Sequence, residues 1–340
     1  MKPVIGITMG DPAGIGPEIA IKTFLSSNLC EHCHPLLVGD VRVLGEISQK
    51  IGIPMNFNSI RNPSQARFES GTMDVIHLPH FEMEDYRIGE STAAQGQAAF
   101  EYIKRVIELA KEGKLDATVT NPINKESLNA AGVPFAGHTE IYAHFTGSKK
   151  VSMLLVTGDF RVVHVTTHVA LRDATDLIKT HRILEVIKLA HDACLKFGIE
   201  VPRIGVAGLN PHSSDGGLFG DEEQRDILPA IEKAQAQGFN VEGPVPPDTL
   251  FAKARMGRYD ITVAMYHDQG HIPFKMLAFE WDANKDQMGD VHGVNVTLGL
   301  PIIRTSVDHG TAFDIAGRGI ASPAALKESI QVAIELVPST

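Results

Sequence analysis

Residues 4–18 read VIGITMGDPAGIGPE, and this stretch sets a pattern that recurs along the chain. The apolar run Val4–Thr8 has the length and β-branched content of a buried strand, and segment 10–18 connects it to the first helix. Similar runs alternate with amphipathic helical stretches throughout, which is typical of an α/β protein with mostly parallel sheets. Further strands are predicted at 35–38, 74–78, 117–120, 152–156, 162–166, 203–207 and 261–265.

Two helices and one polar excursion stand out between these strands. The first helix follows Ser91 and ends at Gly113, and the second runs through Ile183 and closes at Gly198. Residues 279–292 are a polar stretch between two apolar segments, so we expect a hairpin or arm there.

Length and composition limit the possible functions. A chain of 340 residues suggests about two domains, and 43% apolar with 21% charged residues is typical of a globular protein. The net charge of -10 argues against binding to nucleic acid. Because no apolar run approaches the ~20 residues of a membrane span and no signal peptide precedes the first strand, we expect a cytoplasmic protein with no membrane partner.

The cysteines do not predict a disulfide framework. There are three of them, an odd number, in a chain of ordinary size. Cys30 and Cys33, with His32 and His34 beside them, could form a structural zinc site, but no second cysteine pair accompanies them.

Three histidines occupy equivalent places in the pattern, because His168, His212 and His267 each lie shortly after a predicted strand. In open α/β sheets ligands bind beyond the carboxyl ends of strands, and three imidazoles with a vacant position suit a catalytic zinc or similar ion. Asp215 and Asp268 stand beside them, either as carboxylates that orient the imidazoles or as ordinary turn residues. The sequence thus predicts a metal site. The alternative is that each histidine separately caps a helix or packs in the core.

Three further segments are rich in small and polar residues. Segment 10–18 lacks both the dinucleotide fingerprint and the P-loop spacing, so its glycines indicate either a close backbone approach or a tight turn. Residues 304–319 are predicted to form a loop-to-helix passage. His138 and Thr139 precede an apolar helix at 141–145, whose first amides could bind an anion, unless Thr139 simply caps that helix.

Together these motifs resemble the 4-hydroxythreonine-4-phosphate dehydrogenase family over nearly the whole chain. The motifs that carry the resemblance are GDPAGIGPE at 10–18, TNPINKESL at 120–128, GHTE at 137–140, THVALRD at 167–173, NPHSSDGG at 210–217, PPDTLF at 246–251, YHDQG at 266–270 and GVNVTLGLPIIRTSVDHGTAFDIAGRG at 293–319.

The resemblance implies a two-domain α/β fold similar to that of isocitrate and isopropylmalate dehydrogenases, with mostly parallel sheets and an active-site cleft between the domains. We expect residues 1–125 with 300–340 to form the cofactor-side domain. Residues 126–299 are expected to form the domain for metal, substrate and dimerisation.

The resemblance also implies residue roles. The family's histidines that bind a divalent metal (zinc, magnesium, manganese or cobalt) across a homodimer interface match His168, His212 and His267. Its substrate ligands match His138, Thr139, Lys275, Asn295 and Arg304. The adenosine half of NAD is expected at the loop that contains His309, Gly310, Thr311, Asp314 and Gly317.

Two departures from the usual family pattern bear on the substrate. Residues 279–292 are inserted between Lys275 and Asn295, and the metal loop carries Ser213, Ser214 and Asp215 where other residues are common. Both features resemble the branch that acts on D-threonate 4-phosphate or D-erythronate 4-phosphate. We therefore expect NAD-dependent oxidation and decarboxylation of such an acid to dihydroxyacetone phosphate and CO2, in carbohydrate metabolism.

Several alternatives stay open. One is oxidation of 4-phosphohydroxy-L-threonine in pyridoxal phosphate biosynthesis, with a cis-dihydrodiol dehydrogenase as a more distant relative. Another class, an acyl-phosphate transferase, has a related two-domain layout but needs no metal-binding histidines. The proton acceptor is Asp248 or Lys275, of which Lys275 serves equally well as a phosphate ligand. NADP instead of NAD would need a partner for its 2′-phosphate, such as Arg318.

Overall fold

The computed structural model describes residues 1–26, 29–282 and 287–338, which divide into two compact units. Unit 1 comprises Met1–Lys149, Asp290–Val294 and Leu300–Thr340, and unit 2 comprises Lys150–Gly289 and Asn295–Gly299. Segment 126–149, which the sequence assigned to the second domain, packs with unit 1 because its helices contact the long helix at Ala93–Lys111. The roles expected of the two domains, and the cleft between them, stay predictions.

The regular elements are numbered in chain order. The strands are β1 (Val4–Thr8), β2 (His34–Gly39), β3 (Asn56–Ile60), β4 (Thr72–His77), β5 (Ala117–Thr120), β6 (Ser152–Thr157), β7 (Phe160–His164), β8 (Ile204–Ala207), β9 (Val241–Val245), β10 (Ile261–Ala264), β11 (Phe279–Asp282), β12 (Gln287–Val291), β13 (Val294–Leu298) and β14 (Ile303–Val307). The helices are α1 (Gly16–Ser26), α2 (Leu29–His32), α3 (Val41–Lys50), α4 (Ala93–Lys111), α5 (Lys125–Ala130), α6 (His138–Thr146), α7 (Leu171–Leu177), α8 (Thr180–Lys196), α9 (Leu228–Ala236), α10 (Pro247–Arg255), α11 (His267–Ala278) and α12 (Ala324–Leu336).

Unit 1 is built on a parallel sheet with the order β3-β4-β2-β1-β5-β14. Its central strands are apolar on both faces, and Ile5, Ile7 and Val119 are fully buried. Helix α4 packs against β1, β2 and β5, while α12 packs against β5 and β14. Because β1, β5 and β14 are parallel neighbours, the segments that follow them emerge at one edge of the sheet.

Unit 2 contains the strand order β13-β6-β7-β10-β8-β9. Strands β6 and β7 are antiparallel, whereas β7, β10, β8 and β9 pair in parallel. The three adjacent strands β7, β10 and β8 therefore end at the same edge, and each is followed within a few residues by one of the predicted metal histidines.

The sequence located most of these elements. The predicted strands are confirmed, as are α4 and α8. Within the predicted arm, β11 and β12 pair in a two-stranded sheet, which confirms a hairpin, and residues 283–286 lie outside the described part of the chain. No helix among the described residues is long and apolar enough to span a bilayer.

Two sequence interpretations were wrong in detail. Residues 304–319 were predicted as a loop-to-helix passage, yet 303–307 form β14, because polar Thr and Arg side chains there find partners on β5 and α12. Helix α6 begins at His138 with Gly137 as its N-cap, so Thr139 lies in the first turn and is not the cap.

Candidate active site

Two imidazoles of unit 2 lie close together at the carboxyl edge of its sheet. His168 follows β7 and His267 begins α11, and their ring centres are 5.6 Å apart. They line a cavity of about 380 Å³ together with their immediate neighbours in the chain. Two imidazoles bonded to one tetrahedral ion at about 2.0–2.1 Å would have ring centres roughly 5 Å apart. The pair therefore fits two ligands of one divalent ion.

Neighbouring carboxylates orient two of the predicted histidines. Nδ1 of His267 lies 2.7 Å from Oδ1 of Asp268, and Nδ1 of His212 lies 3.2 Å from Oδ2 of Asp215. A carboxylate at Nδ1 favours the ring form with the proton on Nδ1, which leaves Nε2 as the metal-binding atom. Each aspartate thus contacts its histidine, and its role in orienting a metal ligand stays a prediction.

His212 lies in a left-handed turn. The φ values of His212, Ser213, Ser214 and Asp215 are 53°, 57°, 66° and 43°, so four consecutive non-glycine residues adopt the conformation that usually favours glycine. Each such residue costs on the order of 1 kcal/mol, so surrounding contacts must impose the turn. Strain of this kind concentrates at functional sites.

Buried residues beside the turn hold it in place. The carboxylate of Glu223, which is 2% exposed, accepts hydrogen bonds from the backbone N–H groups of Leu209 and Asn210 at 2.8 and 2.7 Å. Gly208 lies so close to Ser213 that an added Cβ would come within 2.6 Å of its Oγ. Glu223 could not be found from the sequence, because its partners are backbone groups that only the folded chain brings near.

The third histidine is not brought to the other two within one chain. Among the described residues, no group of three or more His, Cys, Asp or Glu side chains is close enough to hold a metal ion. The same finding leaves the alternative zinc site at Cys30 and Cys33 without support. A three-histidine site that includes His212 stays a prediction.

Unit 1 carries a buried guanidinium on β14. Arg304 is 3% exposed and donates from Nε and Nη2 to Oγ1 of Thr120 at 3.2 and 2.8 Å. Its guanidinium carbon lies 5.7 Å from the ring centre of Tyr142. Burial lowers the pKa of Arg304 to about 10, so the group stays charged at neutral pH. A desolvated, forked cation of this kind suits a phosphate or carboxylate.

Two predicted substrate ligands present buried polar atoms without partners. Nε2 of His138 in unit 1 and Oδ1 of Asn295 in unit 2 have no hydrogen-bond partner among the described residues, and Oδ1 of Asn121 is a third such atom. Burial, followed by the nearby charge of Arg304, holds the pKa of His138 well below its ordinary range. Leaving such atoms unsatisfied costs about 1–3 kcal/mol each, which polar groups of a ligand would recover.

The glycines of segment 10–18 have a structural explanation. Gly10 has φ +79°, and a Cβ on Gly14 would come within 2.8 Å of the carbonyl oxygen of Thr311. Ile15 donates its N–H to that same oxygen at 2.9 Å. Both readings of the segment, a tight turn and a close backbone approach, are therefore confirmed at different glycines. Segment 10–18 therefore packs against the loop containing Thr311, which is predicted to bind the cofactor.

Buried Glu18 fixes the far end of that loop. Its carboxylate accepts hydrogen bonds from the backbone N–H groups of Gly319 and Ala321 at 3.1 and 2.8 Å, and from Lys22 at 2.8 Å. Gly310, in contrast, has no atom within 4 Å of an added Cβ, so its backbone borders open space.

The two candidate proton acceptors belong to different helices of unit 2. Lys275 lies two helical turns after His267 on α11, which places both on one face, and its ammonium is 4.4 Å from the ring centre of Phe279. Asp248 is exposed in the first turn of α10, the helix that contacts the turn at Pro211–Gly216.

The family described as pyridoxal phosphate biosynthetic protein PdxA matches residues 31–333. The chain belongs to the PdxA family. It is 48% identical to a D-threonate 4-phosphate dehydrogenase from Cupriavidus necator over 335 residues, covering 98% of this chain and 97% of that protein.

Two solved structures resemble this PdxA-family chain throughout. A 4-hydroxythreonine-4-phosphate dehydrogenase from Klebsiella pneumoniae is 43% identical with a TM-score of 0.88, covering 100% of this chain and 99% of that one. A 4-hydroxythreonine-4-phosphate dehydrogenase from Burkholderia phymatum is 45% identical with a TM-score of 0.85, covering 100% of both chains. This PdxA-family protein is therefore a dehydrogenase, and the acyl-phosphate transferase alternative does not apply.

Membership of the PdxA family does not by itself identify Thr120 and Asn121, to which the sequence motifs gave no role. Both lie in the motif at 120–128, at and just after the carboxyl end of β5. The signal that could have found them is their position, because ligands bind beyond the carboxyl ends of parallel strands.

Proposed function

We propose that the protein is a D-threonate 4-phosphate dehydrogenase that uses NAD and a divalent metal ion to oxidise and decarboxylate its substrate. The observation that carries the choice of substrate is the 48% identity, over 98% of the chain, to the Cupriavidus necator enzyme of that name. Oxidation of the hydroxyl two carbons from the carboxylate gives a β-keto acid, and loss of CO2 then leaves dihydroxyacetone phosphate. D-erythronate 4-phosphate, which differs in the configuration of a hydroxyl-bearing carbon, is the second candidate.

The polar groups of unit 1 fit one end of such a substrate. Arg304, held by Thr120, binds an anionic group, and its burial makes that interaction stronger than a surface pair. His138 is neutral, so its Nε2 accepts a hydrogen bond from a hydroxyl and does not serve as a second cation. Thr139 and the first amides of α6 lie next to it.

The residues of unit 2 fit the reacting end. His168 and His267, with His212, would hold the divalent ion, which when bound polarises hydroxyl and carboxylate oxygens and stabilises the charge left by decarboxylation. Asp268 and Asp215 keep Nε2 of their histidines available. Lys275 and Asp248 are the groups proposed to take the hydroxyl proton, and Asn295 presents its unsatisfied Oδ1 to a hydroxyl.

A homodimer is part of this proposal. Large apolar side chains near the histidines along the chain are strongly exposed, with Leu171 at 62%, Leu218 at 74%, Ile272 at 58% and Met276 at 78%. A surface of this kind is typical of a protein interface. A partner subunit covering it would supply the histidine that one chain does not bring into place. We also propose a cytoplasmic location.

The nicotinamide cofactor is proposed to lie against the loop containing His309, Gly310, Thr311, Asp314 and Gly317. Replacing Gly310 with Leu should raise the KM for NAD at least ~10-fold, because the new side chain fills space that the cofactor would occupy. The KM for the acid should change less than about twofold. Gly45→Leu is the matched control, since Gly45 also borders open space but lies on α3. An unchanged NAD KM in the Gly310 variant would place the cofactor elsewhere.

The substrate choice is tested by a direct comparison. We expect kcat/KM for D-threonate or D-erythronate 4-phosphate to exceed that for 4-phosphohydroxy-L-threonine by at least ~10-fold, equivalent to about 1.4 kcal/mol. The compounds share a phosphate but differ in bearing a hydroxyl or an ammonium at the second carbon, so the contrast isolates recognition at that carbon. NADH formation is followed at limiting substrate. A preference for phosphohydroxythreonine would favour the role in pyridoxal phosphate biosynthesis.

A further inference from the structure

A second, larger cavity lies in unit 2 at the opposite edge of the sheet from the histidines. Its volume is about 850 Å³, within the range of small-molecule sites. Its walls include Arg161 at the start of β7, Arg203 just before β8 and Asp260 just before β10. The same three strands end before His168, His212 and His267, so the cavity and the histidines are separated by the length of the strands.

The charged groups that face this cavity leave positive charge uncompensated. Arg203 and Asp260 form a closed pair with contacts of 2.6 and 3.0 Å, and this pair holds the pKa of Asp260 below its ordinary range. Asp159 is fully exposed and reaches Arg161 only at 3.4 Å. Arg255 has no carboxylate partner among the described residues. The three arginines and two aspartates that line the cavity therefore carry a net charge of +1, and Asp159, the partner of Arg161, is held least tightly.

Arg161 is held rigidly in the wall. Its side chain is only 10% exposed, and its guanidinium carbon lies 4.8 Å from the ring centre of Phe197. Nη1 donates to the backbone carbonyls of Asp159 and Asp260 at 3.1 and 3.4 Å, which are neutral acceptors. Nε is buried and has no partner among the described residues. The guanidinium therefore keeps donor capacity that neither Asp159 nor Asp260 uses.

The remaining walls are largely apolar. Phe160 and Tyr259 are buried, Phe197 and Leu277 are half-buried, and Met256 at the rim is 84% exposed. A simple inorganic ion would leave the exposed surface of Phe197, Leu277 and Met256 in water, whereas an organic ligand with a flat apolar part would cover it.

We infer that this cavity binds a small organic phosphate with a flat apolar part, whose phosphate contacts Arg161 and Arg255. The site goes beyond the proposed dehydrogenase function, and its occupancy is measured without turnover. If the proposed substrate is wrong, the proposal of this second site still stands. If the second site does not bind the ligand, the proposed substrate still stands.

The test is calorimetric titration of the purified full-length protein with phenyl phosphate. We expect saturable binding. Arg255→Ala should weaken it about tenfold, because the phosphate loses one charge-assisted hydrogen bond from an exposed side chain. Arg258→Ala is the matched control: it removes the same charge from an exposed side chain three residues after Arg255, the last residue of α10, but Arg258 pairs with Glu242 outside this cavity. Its affinity should stay within about twofold of the wild type.

One further variant and two further ligands complete the test. Arg161→Met, which keeps apolar packing on Phe197, should weaken binding at least ~10-fold, and thermal unfolding checks that it folds. Inorganic phosphate and benzoate should each bind more weakly than phenyl phosphate. Equal affinity for inorganic phosphate overturns the apolar part of the inference, and tighter binding of benzoate overturns the choice of phosphate. Unchanged binding in Arg255→Ala, or binding abolished by Arg304→Lys, overturns the location.

Discussion

Replacing His212 with alanine is expected to lower kcat at least ~1,000-fold and to remove most of the bound divalent metal. The side chain is 64% exposed, so its loss acts on the proposed metal site and not on the fold. The free energy of unfolding should change by less than about 1 kcal/mol. Metal content by mass spectrometry, kcat and the melting temperature are measured on the same preparation.

The control for this variant is His181→Ala, which removes an exposed imidazole from α8 in the same unit. It should retain both metal and turnover. If a metal-free preparation of the wild type turned over at full rate, the proposed role of the three histidines would be wrong.

The substitution Arg304→Lys should reduce kcat/KM for the phosphorylated acid at least ~100-fold, about 2.7 kcal/mol of transition-state binding. Lysine keeps a positive charge but lacks the planar fork that reaches Thr120 from two nitrogens, and burial makes its charged form costly. The KM for NAD should change less than about threefold. Initial rates are measured at varied acid and varied NAD.

Arg105→Lys is the matched change on the surface of the same unit, where Arg105 pairs with Glu108 on α4. It should leave all steady-state constants within about twofold. A normal kcat/KM in Arg304→Lys would show that the substrate's anionic groups bind elsewhere.

The sequence predicted the elements whose pattern is local. Strands such as β1 and β5 were found because they are short apolar, β-branched runs in which all residues but Val4 are buried, and α4 was found because apolar residues repeat along one face. Strand β9 was missed, since Gly243 and Pro244 interrupt it, and proline is tolerated there only because β9 lies at the edge of the sheet. Strand β14 was missed because Arg304 and its polar neighbours are satisfied by residues far away in the chain.

The sequence could predict which residues belong to the candidate site, but not their geometry or electrostatics. Position after strand ends pointed to His168, His212 and His267 as candidate metal ligands, and Asp215 and Asp268 were noted because they lie next to them in the chain. The left-handed turn could not be predicted, because His, Ser and Asp have no intrinsic preference strong enough to form it, and distant Glu223 supports it. The low pKa of His138 likewise depends on burial beside Arg304.

The order of the units along the chain sets the order in which they can be completed on the ribosome. Unit 2 is finished at Gly299, whose backbone lies against the carbonyl of Lys150 where the unit begins. Unit 1 still lacks β14, which pairs with β5, and α12, which covers both strands. Nascent domains generally fold as units, so the inserted unit can close first while the flanking one waits for its last strand. Once residue 299 has emerged from the ribosome, the nascent chain would thus hold one complete unit and one unit with an exposed, unpaired β5 edge.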